Sequence, residues 1–260
     1  MIKLFVSDLD GTMYHKGELF DHDVEALKKL IDQDIILCFA SGRLDYEIVE
    51  IMETLEGNFH RISMNGTYIY SKDGEALLDA TFHPTVVNKI YEMISPDKFL
   101  RYVADNTTYY IEEKTDIVKE IEKNSNMQAV EIKTLKEELG NTITPKKYVV
   151  IGEDEDLIQL QNELQKELPE YITSFISAKN CLDIVPANIS KGSAIQILID
   201  KLGINSNEIA CIGDSYNDIP MFHLTPNSFA MEDADDEVKK HASYVVPSVS
   251  EAIKIALQIK

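Results

Sequence analysis

Three times this sequence runs a short, mostly apolar segment into a sudden polar turn, and that repetition constrains the fold more than any other feature. Residues 2–7 lead into Asp8-Leu9-Asp10-Gly11-Thr12, residues 35–40 into Ser41-Gly42-Arg43, and residues 209–212 into Gly213-Asp214-Ser215. A segment that stays apolar instead of alternating reads as a strand buried on both faces. A helical stretch follows the first, with Val24, Leu27, Leu30 and Ile31 at helical spacing and Asp21 placed to cap it. Another follows the second, with Ile48, Met52 and Leu55 on one face. Strands alternating with helices predict an α/β protein with a Rossmann-like parallel sheet and helices packed on it. In such sheets ligands collect beyond the carboxyl ends of the strands. All three polar turns fall there.

The rhythm changes in the middle of the chain. Residues 67–70 and 75–78 flank Ser71-Lys72-Asp73-Gly74 as a hairpin. From 83 to 185 hairpins mix with helices. Residues 99–103 and 108–111 flank Asp105-Asn106, 148–151 read as a strand, and the acids at 153–156 open a helix carrying Leu157, Leu160, Leu164 and Leu168. Acidic residues are favourable at that end of a helix dipole. After Pro186 the first rhythm returns, with Ala194, Ile195, Leu198 and Leu202 on a helix starting near Lys191. The strand at 209–212, apolar runs at 229–231 and 244–246, and a helix over 251–259 complete it. The expected organisation is a core of residues 1–82 and 186–260 interrupted by an α+β domain at 83–185.

The 260 residues suffice for two modest domains. A net charge of -20, from 25 Lys+Arg against 45 Asp+Glu, repels nucleic acid and anionic membranes at long range. No stretch of about 18 apolar residues is present to span a bilayer. The first residues lack a cleavable signal pattern. Cys38, Cys181 and Cys211 lie in apolar runs without metal spacing and are expected buried and reduced. The expectation is a cytoplasmic protein with neither nucleic-acid nor membrane partners. His15, His22, His60, His83, His223 and His241 show no ligand spacing and are expected at the surface. Tyr102, Tyr109 and Tyr110 read as hairpin packing, and the acids at 232–237 as a solvated face. Neither G-x-G-x-x-G nor G-x-x-x-x-G-K-[ST] occurs, which disfavours dinucleotide and P-loop nucleotide binding.

Four polar clusters fall at expected strand ends or helix starts: Asp8 with Asp10 and Thr12; Ser41 with Gly42; Lys191; and Asp214 with Asn217 and Asp218. Carboxylates at one sheet edge repel each other, and a hard cation such as Mg²⁺ relieves that, with Asp8 and Asp214 the natural pair. An acidic protein that binds a phosphorylated substrate needs local positive charge and donors. Lys191, the Ser41 hydroxyl, the Gly42 amide and Asn217 supply them, with backbone amides of the first turn. Asp8 can attack phosphorus as a carboxylate nucleophile, and Asp10 can protonate the leaving oxygen and later activate water. Phosphoryl transfer asks mainly for positioning and charge neutralisation. Taken singly, these motifs are ordinary turns and helix starts. Their joint placement, each at an expected sheet edge, carries the reading. The Asp-x-Asp-Gly turn does not form an EF-hand loop, because Met13 stands at the required glycine and Leu19 at the terminal glutamate.

These pieces resemble the haloacid dehalogenase superfamily, in particular its Cof-like sugar-phosphatase branch, over nearly the whole chain. The matching motifs are Ser7-Asp8-Leu9-Asp10-Gly11-Thr12, Ala40-Ser41-Gly42-Arg43, Asn65-Gly66, Ser190-Lys191-Gly192-Ser193-Ala194 and Gly213-Asp214-Ser215-Tyr216-Asn217-Asp218. The insert is similar in position to the family's class IIB cap. The resemblance implies Asp8 as nucleophile and Asp10 as general acid/base. It implies Mg²⁺ held by Asp8, the Asp10 backbone carbonyl and Asp214, with Asp218 as ligand or orienting group. Phosphate would be held by Ser41, Lys191 and Asn217. Two mild departures are Asn188, where the family often has glycine, and Ser250-Glu251-Ala252, where a more acidic, glycine-containing stretch is common.

The expected function is Mg²⁺-dependent hydrolysis of a small phosphate monoester, such as a sugar phosphate, through an aspartyl-phosphate on Asp8. The expected partner is a small phosphorylated metabolite, and the expected state a monomer or small homo-oligomer. The inserted domain is expected to close over the site and select the leaving group. A phosphohexomutase could use the same nucleophile but must shield the intermediate from water. A non-catalytic phosphometabolite sensor gives no reason to keep both Asp8 and Asp10. A glycosyltransferase leaves Lys191 and residues 213–218 unexplained.

Overall fold

Leu4–Ser7, buried along its whole length, pairs in parallel with Ile36–Ala40 on one side and Ile209–Gly213 on the other. The computed structural model describes residues 1–15, 17–55, 57–124 and 127–259. Those three strands are the middle of an eight-stranded sheet ordered Tyr244–Val246, Ser228–Met231, Ile209–Gly213, Leu4–Ser7, Ile36–Ala40, His60–Ser63, Tyr68–Tyr70, Ala76–Asp79. Pairing is parallel as far as His60–Ser63, and the last two strands add an antiparallel hairpin at the edge. The α/β class with a parallel core is the one expected from the alternating segments.

Successive residues of each strand serve opposite faces. Phe5, Leu37 and Ala210 stand level across three strands and pack on Leu27 and Leu30 of the helix Asp21–Ile31 and on Ala252 and Ile253 of Val249–Ala256. Leu4, Val6, Cys38 and Cys211 turn the other way, onto Ala194, Ile195 and Leu198 of Lys191–Leu202 and Met221 and Phe222 of Ile219–Phe222. Burying each large apolar side chain contributes roughly 1.5–3 kcal/mol. The two helical layers therefore hold the strand ends rigidly in register.

The chain forms two compact units, Met1–Asp79 with Ser190–Lys260, and Ala80–Ile189. The second has its own six-stranded sheet, ordered Ala129–Glu131, Tyr109–Ile111, Leu100–Ala104, Lys147–Ile151, Cys181–Pro186, Ile172–Ala178. It is antiparallel except for its first pair. Pro84–Met93 and Asp154–Glu167 cover one face, setting Val87, Ile90, Leu160 and Leu164 against Val103, Tyr148, Val150 and Ile184. Among the described residues no helix is long and apolar enough to cross a membrane.

Several local expectations shift. The sequence places the joints at 82/83 and 185/186, whereas the units divide at 79/80 and 189/190. Pro186 ends a paired strand opposite Ile172, and Pro84 starts a helix with His83 as its cap, so both prolines lie inside the second unit. Asp21 does not cap its helix. Phe20 takes the capping backbone position without a side-chain bond, and Asp21 with Asp23 instead places negative charge in the first turn. His60 is buried, not exposed, and its Nδ1 accepts from the Lys72 amide at 3.2 Å. Burial lowers its pKa to about 4, with Lys72 acting in the same direction. Asn188 adopts φ 62, the left-handed backbone that asparagine tolerates nearly as well as glycine, so that departure keeps the turn. Cys38 and Cys211 are buried, Cys181 is partly exposed, and all three are free thiols.

The other departure, around Ser250, is anchored from a distance. Asp23, 1% exposed, accepts the Ser250 amide proton through Oδ1 at 2.7 Å, tying two core helices together. Asp23→Ala leaves that donor unsatisfied and should lower stability by about 1–3 kcal/mol, while Asp23→Asn keeps an acceptor and most of the stability. Urea unfolding of both variants checks this, and equal losses would contradict it.

Candidate active site

Because the three central strands run in parallel, their carboxyl ends deliver side chains to one edge. Asp8 follows Leu4–Ser7, and its amide donates to the Ile212 carbonyl at 3.0 Å. Asp214 follows Ile209–Gly213, and Ser41 follows Ile36–Ala40 with its amide on the Ile62 carbonyl at 2.8 Å. Lys191 opens the helix Lys191–Leu202, whose start is capped by Ser190 Oγ accepting from the Ser193 amide at 3.0 Å.

Lys191 is the hub. Its Nζ, on a side chain 1% exposed, donates to Asp8 Oδ1 and to Asp218 Oδ1, each at 2.6 Å. The other oxygen of Asp218 accepts the amide protons of Asp214 and Ser215 at 2.9 and 3.0 Å. Thr12 Oγ1 donates to Asp214 Oδ1 at 2.7 Å. Gly11, at φ +81, lies so close that a Cβ there would stand 2.4 Å from Asp214 Oδ2, so only glycine admits the carboxylate.

Three carboxylates share one ammonium, so the cluster carries excess negative charge when all are ionised. Burial raises the Asp8 pKa well above the ordinary carboxylate range. Lys191 opposes this, and Asp218 and Asp214 add to it. Asp214 is pushed up to about 6, first by burial and then by Asp218, against the Thr12 hydrogen bond and Lys191. Burial alone would discharge Lys191, but Asp218 and Asp8 more than offset it and its pKa is raised. Carboxylate oxygens of Asp8, Asp214 and Asp218 lie within 4.8 Å of one another, so the group has the donor type and closeness that a hard divalent cation takes.

The remaining candidates lie beside this cluster. Asp10 is half-exposed and turned onto Arg43, which grips both its oxygens through Nε and Nη2 at 2.7 Å each. The same guanidinium lies 5.2 Å from the Tyr14 ring centroid and 3.6 Å from Glu47. Ser41 is buried, and its Oγ accepts the Arg43 amide proton at 3.2 Å. Gly42 is half-buried in the turn between them. Asn217 is buried, with Nδ2 donating to Asn65 Oδ1 at 3.0 Å. So Asp8, Lys191, Asp214 and Asp218 form one bonded network with Thr12, while Asp10 and Asn217 each have a separate partner. Their sequence motifs alone assign no role to Thr12, Arg43 or Asn65. Arg43 was signalled only by charge, a cation two residues beyond Ser41 facing an acidic turn. Asn65 was signalled by Asn-Gly directly after a strand, the mark of a left-handed turn.

A family model for haloacid dehalogenase-like hydrolases matches residues 5–256, and the chain belongs to that family. It is 27% identical over 237 residues to the HMP-PP phosphatase of Citrobacter koseri, covering 90% of this chain and 85% of the relative. A crystal structure of a haloacid dehalogenase-like hydrolase from Bacteroides thetaiotaomicron is 30% identical, with TM-score 0.83, covering 98% of this chain and 99% of that one. A crystal structure from Thermotoga maritima is 26% identical with TM-score 0.83, covering 100% and 98% of the two chains. The family is the one the motifs resemble, and the protein is therefore a hydrolase.

The raised Asp214 pKa has a consequence for metal-free protein. An acid whose folded pKa lies above its unfolded value near 3.8 holds its proton more tightly when folded. Its contribution to stability is therefore lost as pH rises from about 4 through about 6. Asp214→Asn removes this loss and keeps an acceptor for Thr12. In chelator, its stability relative to wild type should climb between pH 5 and pH 7. Urea melts at the two pH values test this, and a constant difference would refute it.

Proposed function

We propose that this hydrolase cleaves small phosphate monoesters, with Asp8 as the attacking group. The observation that carries the reading is the Lys191 ammonium 2.6 Å from Asp8 Oδ1 at a buried strand end. A buried carboxylate is costly, and this one is set where a positive charge can also receive a phosphoryl oxygen. An Asp8 oxygen attacks phosphorus and the bond to the ester oxygen breaks. Asp10 gives that oxygen a proton. Water then attacks phosphorus, Asp10 takes its proton, and the bond to Asp8 breaks, releasing inorganic phosphate. Ser41, the Gly42 amide, Lys191 and Asn217 hold the phosphoryl oxygens. Arg43, which holds both Asp10 oxygens, must release one of them for the proton transfer by Asp10.

Mg²⁺ fits the carboxylate cluster, with Asp8, Asp214 and the Asp10 backbone carbonyl as the groups that would hold it. Asp218 fits an orienting role better than a ligand role, because one oxygen is on Lys191 and the other on two backbone amides. Bound there, the cation would neutralise charge on the phosphate and the carboxylates. For the substrate, the relative named as an HMP-PP phosphatase and the resemblance to sugar phosphatases both support a small phosphorylated metabolite. The interruption of the core by Ala80–Ile189 supports giving choice of leaving group to that unit.

A panel of sugar phosphates and HMP-PP, assayed for released phosphate with Mg²⁺ and with chelator, tests the reading. Phosphate release that stops in chelator and returns with Mg²⁺ supports it. Isomerised monophosphate without release points to a mutase. Asp8→Asn keeps the shape but removes the anionic oxygen, and should lower kcat by several decades. Turnover within about tenfold of wild type would remove Asp8 from the nucleophile role.

A further inference from the structure

The strand His60–Ser63 ends in the turn Met64–Gly66, where Met64 and Asn65 have φ 49 and 58. Left-handed backbone is unfavourable for a residue with a Cβ. Two such residues in succession persist only where the surroundings hold them. Here the surroundings are mostly backbone beside the proposed phosphate ligands. The Met64 amide donates to the Arg43 carbonyl at 2.9 Å and the Asn65 amide to the Ser41 carbonyl at 3.0 Å. Gly66 meets the start of the Lys191 helix so closely that a Cβ would stand 2.3 Å from the Ser190 carbonyl oxygen. Asn65 Oδ1 accepts from Asn217 Nδ2 at 3.0 Å, with the two side chains 0% and 6% exposed. One turn thus touches the segments that carry Ser41, Lys191 and Asn217.

The bond between the two asparagines has a chemical consequence. A carboxamide has a donor end and an acceptor end of nearly equal shape. Only the NH₂ end can attract a phosphate oxygen, and the oxygen end repels it. Because Asn65 presents an acceptor, Asn217 must turn its NH₂ that way, and one of its two N–H groups remains for a ligand. Asn217 Oδ1 is buried without a hydrogen-bond partner among the described residues, so nothing on that side competes to reverse the amide.

We infer that Asn65 is a positioning residue for phosphate binding, which sets through its Oδ1 the orientation in which Asn217 offers an N–H to the ester. The inference rests on the reading of Asn217 as a phosphate ligand. It places Asn65 one step from the phosphate, acting through another side chain.

The test is a double-mutant cycle read as inhibition of the full-length Mg²⁺-loaded enzyme by inorganic phosphate. Asn217→Ala should weaken inhibition about tenfold, the scale of one hydrogen bond to a charged group. Asn65→Gly keeps the backbone free to turn left-handed and removes the side chain. It should weaken inhibition by a similar factor alone, and by less than about twofold when Asn217 is already alanine. Factors that multiply would overturn the inference while leaving Asn217 a ligand. An Asn217→Ala variant that binds phosphate like wild type would overturn the ligand reading itself and the inference with it. If Asn65→Gly shows no cooperative melt, Asn65→Asp takes its place, since it tolerates the turn and retains the acceptor. The Asn217→Ala factor should then keep its wild-type size, and its collapse would overturn the inference.

Discussion

The buried ammonium of Lys191, bonded at 2.6 Å to both Asp8 and Asp218, is the interaction on which the rest of the site depends. Removing charges from water costs several kcal/mol each, and Coulomb attraction repays that only with near-ideal geometry and every remaining lone pair satisfied. Geometry that tight needs rigid supports. Asp8 is held by a strand at the middle of a sheet covered on both faces, Lys191 by the first residue of a capped helix, and Asp218 by two backbone amides. The apolar layers therefore do more than stabilise the protein. They keep one ammonium and three carboxylates in a register that solvent would otherwise dissolve.

Parallel strands explain how Thr12 and Asp214, 202 positions apart, become neighbours. An antiparallel pair would send consecutive strand ends to opposite edges, whereas parallel pairs with helical crossovers return every strand to the same starting edge. Asp8, Ser41 and Asp214 accordingly leave adjacent strands side by side. The edge hairpin Tyr68–Tyr70 and Ala76–Asp79 reverses direction, and it contributes none of these groups.

What could be read from the sequence follows from which forces are periodic. Buried strands and helices leave spacing in the chain, so the parallel core, the α+β character of the insert and the residues at strand ends were legible. Pairings between side chains leave no spacing. The grip of Arg43 on Asp10 depends on two loops meeting, and the link from Asn65 to Asn217 spans 152 positions. Asp21 is not the cap of its helix for a related reason. A capping residue is defined by one backbone angle, and the extended residue proved to be Phe20, at ψ 131. His60 looks like a surface residue by type but stands level with Cys38 on the buried neighbouring strand, so burial overrides composition.

The left-handed positions show how backbone geometry can be read where periodicity fails. Asp34, Met64, Asn65, Asn180 and Asn188 all have positive φ without being glycine. Asparagine and aspartate tolerate that region because a short polar side chain can bond locally, which lightens the demand at four of these positions. Methionine has no such compensation. Met64 is fully buried, and its amide is fixed on Arg43. The strain at Met64 must therefore be balanced by packing and by the bonds of the turn it belongs to. That turn braces the segments carrying Ser41 and Asn217, the residues proposed to hold phosphate, where a flexible loop would allow them to drift independently. A strained but over-determined turn loses little further entropy when a ligand arrives, which is the physical reason to build this part of an active site from an unfavourable backbone.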